Sequence, residues 1–123
     1  MATWKSLVAL VLAASPLMTH AATGNLPVNY GYGTQTCGHY VSAREGYRKG
    51  SAGDRFEVLM YLSWLDGFAT AVSAKQFQDV LKGKDSYAIA LWLENYCKEN
   101  PLDSFLMASS KLLTALTGKL PLQ

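Results

Sequence analysis

Two cysteines carry the clearest chemistry in this 123-residue sequence, since Cys37 and Cys97 are the only thiols in it. They lie 60 positions apart, and no Cys-x-x-Cys spacing suited to thiol exchange is present. A stretch typical of an export signal precedes both, and exported proteins use such pairs mainly as structural disulfides. We therefore expect a Cys37–Cys97 disulfide rather than a redox centre or a metal site.

The other reactive side chains are too few to form a recognisable active site. His39 is the only histidine after the export signal, so a zinc site or a nucleophile triad would lack further histidines. Gly31-Tyr32-Gly33 lacks the helix and the lysine that follow a phosphate-binding loop. Two acid pairs are interpreted as capping and solvated residues, namely Asp54 with Glu57 and Glu94 with Glu99. The sequence predicts no catalytic, metal or cofactor site, and therefore no enzyme.

The first 21 residues have the three regions of a secretory signal peptide. Met1–Lys5 carries one positive charge, and Ser6–Ala14 is an apolar run too short to span a membrane comfortably. Thr19 and Ala21 place small residues at the −3 and −1 positions of a cleavage site. We expect cleavage after Ala21 and a periplasmic mature protein, with an uncleaved membrane anchor as the alternative.

The sequence expected after cleavage, residues 22–123, is long enough to bury one small core. Removal of Lys5 leaves 10 of the 11 Lys and Arg residues, against 9 Asp and Glu residues. This balance offers no basic stripe for nucleic acid, and no second apolar run approaches membrane-spanning length. We predict a soluble exported domain with no nucleic-acid partner and no stable membrane insertion.

Apolar residues at three- and four-residue spacings predict an all-α fold, a small orthogonal bundle of four to five helices. Residues 22–36 are predicted to form an irregular arm, in which Tyr30 and Tyr32 lie over the core; a partner-contacting aromatic pair is the alternative. The helical domain is predicted to span residues 37–118, and residues 119–123 form a tail.

The first helix is predicted from Cys37 to about Lys49, with Thr36 as its N-cap. In the second helix, Asp54 is predicted to be the N-cap and Glu57 to complete a capping box.

This second helix is apolar over most of its circumference, so we expect other helices to surround it. Gly67 within it costs about 1 kcal/mol relative to Ala, which suggests close packing or a bend. Asp66 is interpreted as a structural rather than a catalytic carboxylate. The segment Lys75–Leu81 could extend this helix or form a separate turn, with Phe77, Val80 and Leu81 on its apolar side.

Asp85 or Ser86 is predicted to cap the third helix, and Asn100 to cap a fourth helix that begins at Pro101. Gly118 is the predicted C-cap of the fourth helix. Its apolar stripe is predicted to contain Leu102, Phe105, Leu106, Ser109, Leu112, Leu113 and Leu116. Large apolar residues of the last three helices form the candidate partner-binding or dimer surface, namely Trp64, Phe68, Trp92, Tyr96 and Phe105.

Two segments carry a resemblance to a known family. Thr36-Cys37-Gly38-His39-Tyr40-Val41 resembles the Thr-Cys-x-x-aromatic-aliphatic start of the HdeA/HdeB acid-stress chaperones, and Gly67-Phe68-Ala69-Thr70-Ala71 is similar to a segment of their central helix. Cys97 falls where their second cysteine lies. The resemblance implies a small all-α periplasmic protein with one disulfide that is dimeric at neutral pH. It also implies acid-triggered dissociation, which exposes apolar surface to client proteins.

A second resemblance points to a different function. The segment Leu91-Trp92-Leu93-Glu94-Asn95-Tyr96-Cys97-Lys98-Glu99-Asn100-Pro101 resembles the closing helices of small periplasmic immunity proteins of type VI secretion systems. Those proteins are also helical and disulfide-linked, but they block a toxin enzyme. This resemblance implies one cognate toxin as the partner instead of unfolded clients.

Charge supports the acid-responsive hypothesis. Protonating all 9 acidic side chains of residues 22–123 takes their charge from +1 to +10, and His39 raises it to +11. Self-repulsion of this size destabilises compact states and dimers. We expect a small exported periplasmic binding protein that acts as an acid-stress chaperone for unfolded proteins and can form a homodimer. The alternatives are an immunity protein and a periplasmic accessory protein without chaperone activity.

Overall fold

The computed structural model describes residues 30–121, which form four α-helices and no strand. A short 3-10 turn at Gly31–Thr34 leads into α1 (Cys37–Arg48), α2 (Ala52–Gln76), α3 (Ser86–Glu99) and α4 (Phe105–Thr117). The all-α expectation is confirmed. Within this part of the chain, no helix combines the length and the apolar character needed to cross a membrane. The predicted signal peptide, residues 22–29 of the predicted arm and residues 122–123 lie outside the described residues.

Each α-helix begins at a side chain that accepts a hydrogen bond from the backbone N–H three residues further on. These N-caps are Thr36, Ser51, Asp85 and Ser104. The predictions for Thr36 and Asp85 are confirmed.

The predicted capping box of α2 is wrong, because Ser51 and not Asp54 is the N-cap. The Ser51 hydroxyl accepts a hydrogen bond from the Asp54 N–H at 3.2 Å, which allows the helix to begin already at Ala52. The Asp54 side chain lies against Gly46 of α1, and the Glu57 carboxylate lies near His39. Both carboxylates of α2 therefore contact residues of α1.

The predicted start of the fourth helix at Pro101 is also wrong, because Asn100 closes α3 and α4 begins only at Phe105. The Asn100 side-chain amide donates a hydrogen bond to the carbonyl of Tyr96 at 2.9 Å. Residues 101–103 then form a turn, and the Ser104 hydroxyl caps α4.

This turn satisfies backbone groups at the start of α1. The Cys37 N–H donates to the carbonyl of Asp103 at 2.8 Å, and the Gly38 N–H donates to the carbonyl of Pro101 at 2.9 Å. The first N–H groups of a helix have no partner within it, so these carbonyls supply what α1 lacks. The turn leaves Leu102 92% exposed, contrary to its predicted place in the apolar stripe of α4.

The core is formed by residues of all four helices and contains three fully buried aromatic rings, one each from α1, α2 and α4. The ring centroids of Tyr40, Tyr61 and Phe105 lie 4.7–5.1 Å apart. Tyr32 packs edge-on against Tyr61 at 4.7 Å from the 3-10 turn. Tyr32 therefore covers the core as predicted, whereas the Tyr30 side chain is 76% exposed.

The Cys37–Cys97 disulfide is confirmed and joins the first residue of α1 to α3. Both cysteines are fully buried, and their Cα atoms lie 4.7 Å apart. The bridge therefore lies within the core rather than at the surface.

The segment that follows α2 is a turn rather than a further helix. Phe77 is the C-cap of α2 and has a left-handed backbone with φ of 51°. This conformation redirects the chain so that Val80 packs against Ala69, Val72 and Leu113. Phe77 is 98% exposed, so its predicted place on the apolar side with Val80 is wrong.

The end of α4 matches the sequence prediction. Gly118 caps the helix with φ of 70°, and its N–H donates to the carbonyl of Thr114 at 2.8 Å. Glycine suits this left-handed position because it has no Cβ to clash.

Candidate functional site

One buried carboxylate lies at the contact between α1 and α3. Glu94 has no exposed side-chain surface, and three cations contact it. Its Oε2 accepts a hydrogen bond from Arg44 Nε at 3.0 Å, and its Oε1 lies 2.7 Å from Lys98 Nζ and also contacts Arg48. We call these four residues the Glu94 cluster.

Helical spacing positions each member of the Glu94 cluster. Arg44 and Arg48 lie one turn apart on α1, while Glu94 and Lys98 lie one turn apart on α3. The Tyr40 hydroxyl extends the polar contact by donating to the carbonyl of Ala90 at 3.2 Å. The cluster therefore connects the same two helices as the disulfide.

The cluster holds three positive charges against one negative charge. Burial pushes the pKa of Glu94 upward, but hydrogen bonds from Lys98, Arg44 and Arg48 outweigh burial and hold the pKa below its usual range. Arg44 is itself buried, whereas Arg48 and Lys98 are about half exposed. Loss of the Glu94 charge would thus leave a buried guanidinium without a counterion.

The sequence-based interpretation of Glu94 as a solvated residue is wrong. Glu94 lies three residues before Cys97 and four after Ala90, so all three share the buried face of α3. Arg44 likewise lies on the apolar stripe of α1, where it follows Tyr40 by four residues. A cation on a buried helix face needs an anion near it. The position of Arg44 on the apolar face of α1 could therefore have predicted a buried carboxylate such as Glu94.

A second feature is an exposed face of α2 that carries large apolar side chains at its N-terminal end and one charged residue, Asp66. Its members follow one another at three- and four-residue spacings, and all are exposed to solvent. We call this set the α2 outer face, and it consists of Phe56, Leu59, Met60, Ser63, Asp66, Gly67, Thr70, Ala71 and Ala74. The expectation that other helices surround α2 is therefore wrong for this face.

The predicted partner surface divides into three locations. Phe105 lies in the core with no exposure, so it is not available to a partner in the folded protein. Trp64 and Phe68 stack at 5.4 Å on α2, and Trp92 and Tyr96 stack at 5.7 Å on α3. All four of these side chains are partly buried.

Hydrogen bonds fix both aromatic pairs in place. The Trp64 Nε1–H donates to the carbonyl of Tyr30 at 2.9 Å. The Tyr96 hydroxyl donates to Asp103 Oδ2 at 2.6 Å, and burial together with this hydrogen bond raises the pKa of Tyr96 to about 12. The Trp64 indole N–H and the Tyr96 hydroxyl therefore both donate hydrogen bonds within the chain.

His39 connects α1 to its neighbours from an exposed position. Its Nε2 lies 3.4 Å from the Glu57 carboxylate, and its Nδ1 lies 3.2 Å from Gln35 Oε1. Both ring nitrogens thus face oxygen atoms, which favours a bridging role between helices.

Two acidic side chains line a shallow depression of about 310 Å³ beside α2. Asp66 and Asp79 border it together with the Thr70 and Ser73 side chains, and Asp79 Oδ1 accepts a hydrogen bond from the Leu81 N–H. Across residues 30–121, no three His, Cys, Asp or Glu side chains are grouped closely enough to hold a metal ion.

Comparisons of the chain with protein-family models, with curated proteins and with solved structures found no match. The described residues define a small all-α protein whose core contains one disulfide. The Glu94 cluster and the α2 outer face are its two candidate functional features.

Proposed function

We propose that this protein is an exported, acid-responsive binding protein that opens at low pH and holds other proteins as they unfold. The observation that carries the proposal is the Glu94 cluster. In it, one fully buried carboxylate on α3 contacts two cations on α1 and one on its own helix.

The pH range follows from the pKa of Glu94. This pKa is lower in the folded protein than in the unfolded chain, so the ionised Glu94 side chain stabilises the fold fully at a pH above the ordinary Glu pKa of about 4.3. This stabilisation is lost as the pH falls through the lowered pKa that Glu94 has in the folded protein. Protonation of Glu94 then leaves the buried Arg44 uncompensated, which disfavours contact between α1 and α3.

The total charge acts in the same direction. Residues 30–121 contain all 9 Asp and Glu residues and 10 of the 11 Lys and Arg residues, so acid removes nearly all negative charge from the folded part. Repulsion among the remaining cations then favours an expanded chain.

The disulfide limits how far the chain can open. Closing a loop of 60 residues contributes about 4 kcal/mol in the chain-entropy model, and this covalent constraint does not depend on pH. α1 stays attached to α3 while the core rings of Tyr40, Tyr61 and Phe105 become accessible. An opened but tethered chain would present these apolar residues to unfolding clients.

The first test is suppression of aggregation. The mature protein, at an equal molar ratio to an acid-sensitive client enzyme, should lower light scattering at about pH 2.5, below the ordinary Glu pKa. At neutral pH it should leave a heat-denatured client unprotected. Equal light scattering of the client with and without the protein at low pH would contradict the proposal.

A variant connects this activity to the cluster. Glu94→Gln removes the negative charge at every pH, so we expect it to open at least one pH unit higher than the wild type, as measured by near-UV circular dichroism. Glu99→Gln, an exposed acid on the same helix, is the matched control and should open at the wild-type pH. Identical transitions for Glu94→Gln and the wild type would show that the cluster does not set the response.

A second candidate function, inhibition of one secreted enzyme at neutral pH, is favoured by Phe77. This side chain is 98% exposed, and its left-handed backbone is unfavourable for a bulky residue. An aromatic held outward at a turn suits insertion into a partner's pocket. The test is recovery at neutral pH of a one-to-one complex with a hydrolase whose activity is blocked.

Under this second function, Phe77→Ala should weaken the complex about tenfold or more, because hot-spot aromatics dominate such interfaces. Leu102→Ala is the matched control, since Leu102 is similarly exposed at a different turn. Equal affinities for Phe77→Ala and the control would contradict this function.

A further inference from the structure

The Glu94 cluster holds more positive charge than its one carboxylate neutralises. Arg44, Arg48 and Lys98 are cations, and Glu94 is the single anion that contacts them. Arg48 and Lys98 lie in the last turns of α1 and α3, where the helix dipole offsets about half a charge for each cation. An excess of roughly one positive charge therefore remains in the cluster.

Two of the three cations contact the same oxygen atom. Arg48 Nη2 and Lys98 Nζ both lie against Glu94 Oε1, so these two nitrogen atoms are within about 6 Å of each other, or twice a hydrogen-bond length. Like charges held this close repel each other. A further anion beside Arg48 and Lys98 would offset this repulsion.

Arg48 and Lys98 also have N–H groups to spare at the protein surface. Arg48 donates one hydrogen bond to Glu94 although its guanidinium carries five N–H groups, and the Lys98 ammonium carries three. Their side chains are 46% and 49% exposed, whereas the Arg44 side chain is only 7% exposed. Across residues 30–121, no second carboxylate forms an ion pair with Arg48 or Lys98. Their remaining donors are therefore accessible to a ligand from solution.

The fold places these donors before any ligand arrives. Arg48 comes from α1 and Lys98 from α3, the two helices that the Cys37–Cys97 disulfide joins. Glu94 attracts both cations to one point, and Arg44 holds the other oxygen of Glu94 from the buried side. Donors that are already ordered lose less conformational freedom when a ligand binds.

We propose that Arg48 and Lys98 form a binding site for a phosphate group, carried either by a small soluble molecule or by a lipid headgroup. A phosphate group carries about −1.5 to −2 charges at pH 7 and has three strong acceptor oxygens, so it can accept hydrogen bonds from both side chains while Glu94 stays in place. Arginine binds phosphate through paired N–H groups, and lysine binds it as a point charge. The site requires the native fold at neutral pH and does not depend on the acid response.

Titration of the mature, disulfide-intact protein with sodium phosphate at neutral pH, followed by backbone amide NMR spectra, tests this site. The wild type should show saturable shifts at amides near Arg48 and Lys98, with a dissociation constant of about 1 mM or lower. Arg48→Gln and Lys98→Gln should each raise this constant about tenfold, because each removes one of the two exposed cations. Arg48→Lys keeps the charge but loses the paired donors, so its constant should lie between those of Arg48→Gln and the wild type.

Lys75→Gln and Lys111→Gln are the matched controls, because each removes one positive charge from an exposed position outside the cluster. Both should bind phosphate as tightly as the wild type does. Sodium chloride at equal ionic strength measures screening alone and should give no saturable shift.

Arg48→Gln and Lys98→Gln both retain the Arg44–Glu94 ion pair, so we expect both to fold, as near-UV circular dichroism would show. Three results would overturn the proposal: no saturable shift in the wild type, shifts that chloride reproduces, or an unchanged dissociation constant in either folded cluster variant. Because the titration is made at neutral pH, its result is independent of the aggregation test at low pH.

Sedimentation with vesicles distinguishes the two sources of the phosphate group. Phosphatidylcholine vesicles with and without phosphatidic acid present the same surface apart from the exposed phosphate group. Binding that requires phosphatidic acid and is lost in Arg48→Gln would support a lipid headgroup as the ligand. Saturable binding of inorganic phosphate without binding to these vesicles would support a soluble phosphate compound.

Discussion

At the scale of single residues, Glu94 shows how one buried carboxylate organises two helices. Withdrawal of ions from water costs several kcal/mol for each ion, and only a complete set of contacts offsets this. Glu94 receives contacts from Arg44 and Arg48 on α1 and from Lys98 on its own helix. An incomplete cluster is therefore less stable than either the full cluster or an apolar replacement.

A double-mutant cycle on Arg44 and Glu94 tests this coupling. Arg44→Met should lower the free energy of unfolding by about 3 kcal/mol at neutral pH, because Glu94 loses its most buried partner. Glu94→Leu should cost a similar amount, and the double variant should cost clearly less than the sum. Urea denaturation with the disulfide intact measures all four proteins, and additive costs would contradict the coupling.

At the scale of elements, α2 is a helix with a buried apolar face and an exposed face of mixed character. Val58, Tyr61, Leu65, Ala69 and Val72 form the buried face, on the side opposite the α2 outer face. Apolar spacing predicted the helix, but it could not divide the faces, because apolar side chains occur around most of the circumference. Only the positions of α1 and α4 decide which face is buried.

The crossing of α1 and α2 gives a prediction about Gly46. A Cβ on Gly46 would lie 2.9 Å from the Cβ of Asp54, closer than unbonded carbons approach. We expect Gly46→Ala to lower the free energy of unfolding by about 1–3 kcal/mol, as overpacking does.

Gly53→Ala is the matched control for Gly46→Ala, because its new Cβ meets only the Ser51 hydroxyl at 4.0 Å. It should be neutral or slightly stabilising, since Ala is favoured over Gly in helices. Thermal unfolding of both variants makes the comparison, and equal transition temperatures would show that Asp54 moves aside at no cost.

At the scale of the whole molecule, the sequence predicted those features of the fold that depend on residues close together in the chain. Two cysteines behind an export-like segment predicted the disulfide, and apolar spacing predicted four to five helices, of which the described residues form four. The start of α4 was missed because the carbonyls of Pro101 and Asp103 serve the N–H groups of α1, which is a contact across the fold. The Glu94 cluster was missed for the same reason, since its members come from two helices.

The disulfide also divides the molecule topologically. Residues 37–97 form a covalent ring that contains α1, α2 and nearly all of α3, whereas α4 is a pendant segment outside it. α4 nevertheless supplies Phe105, Leu112 and Leu113 to the buried interior. It can therefore leave as a unit without breaking a bond or threading the ring, and its departure would open the interior while the ring remains closed.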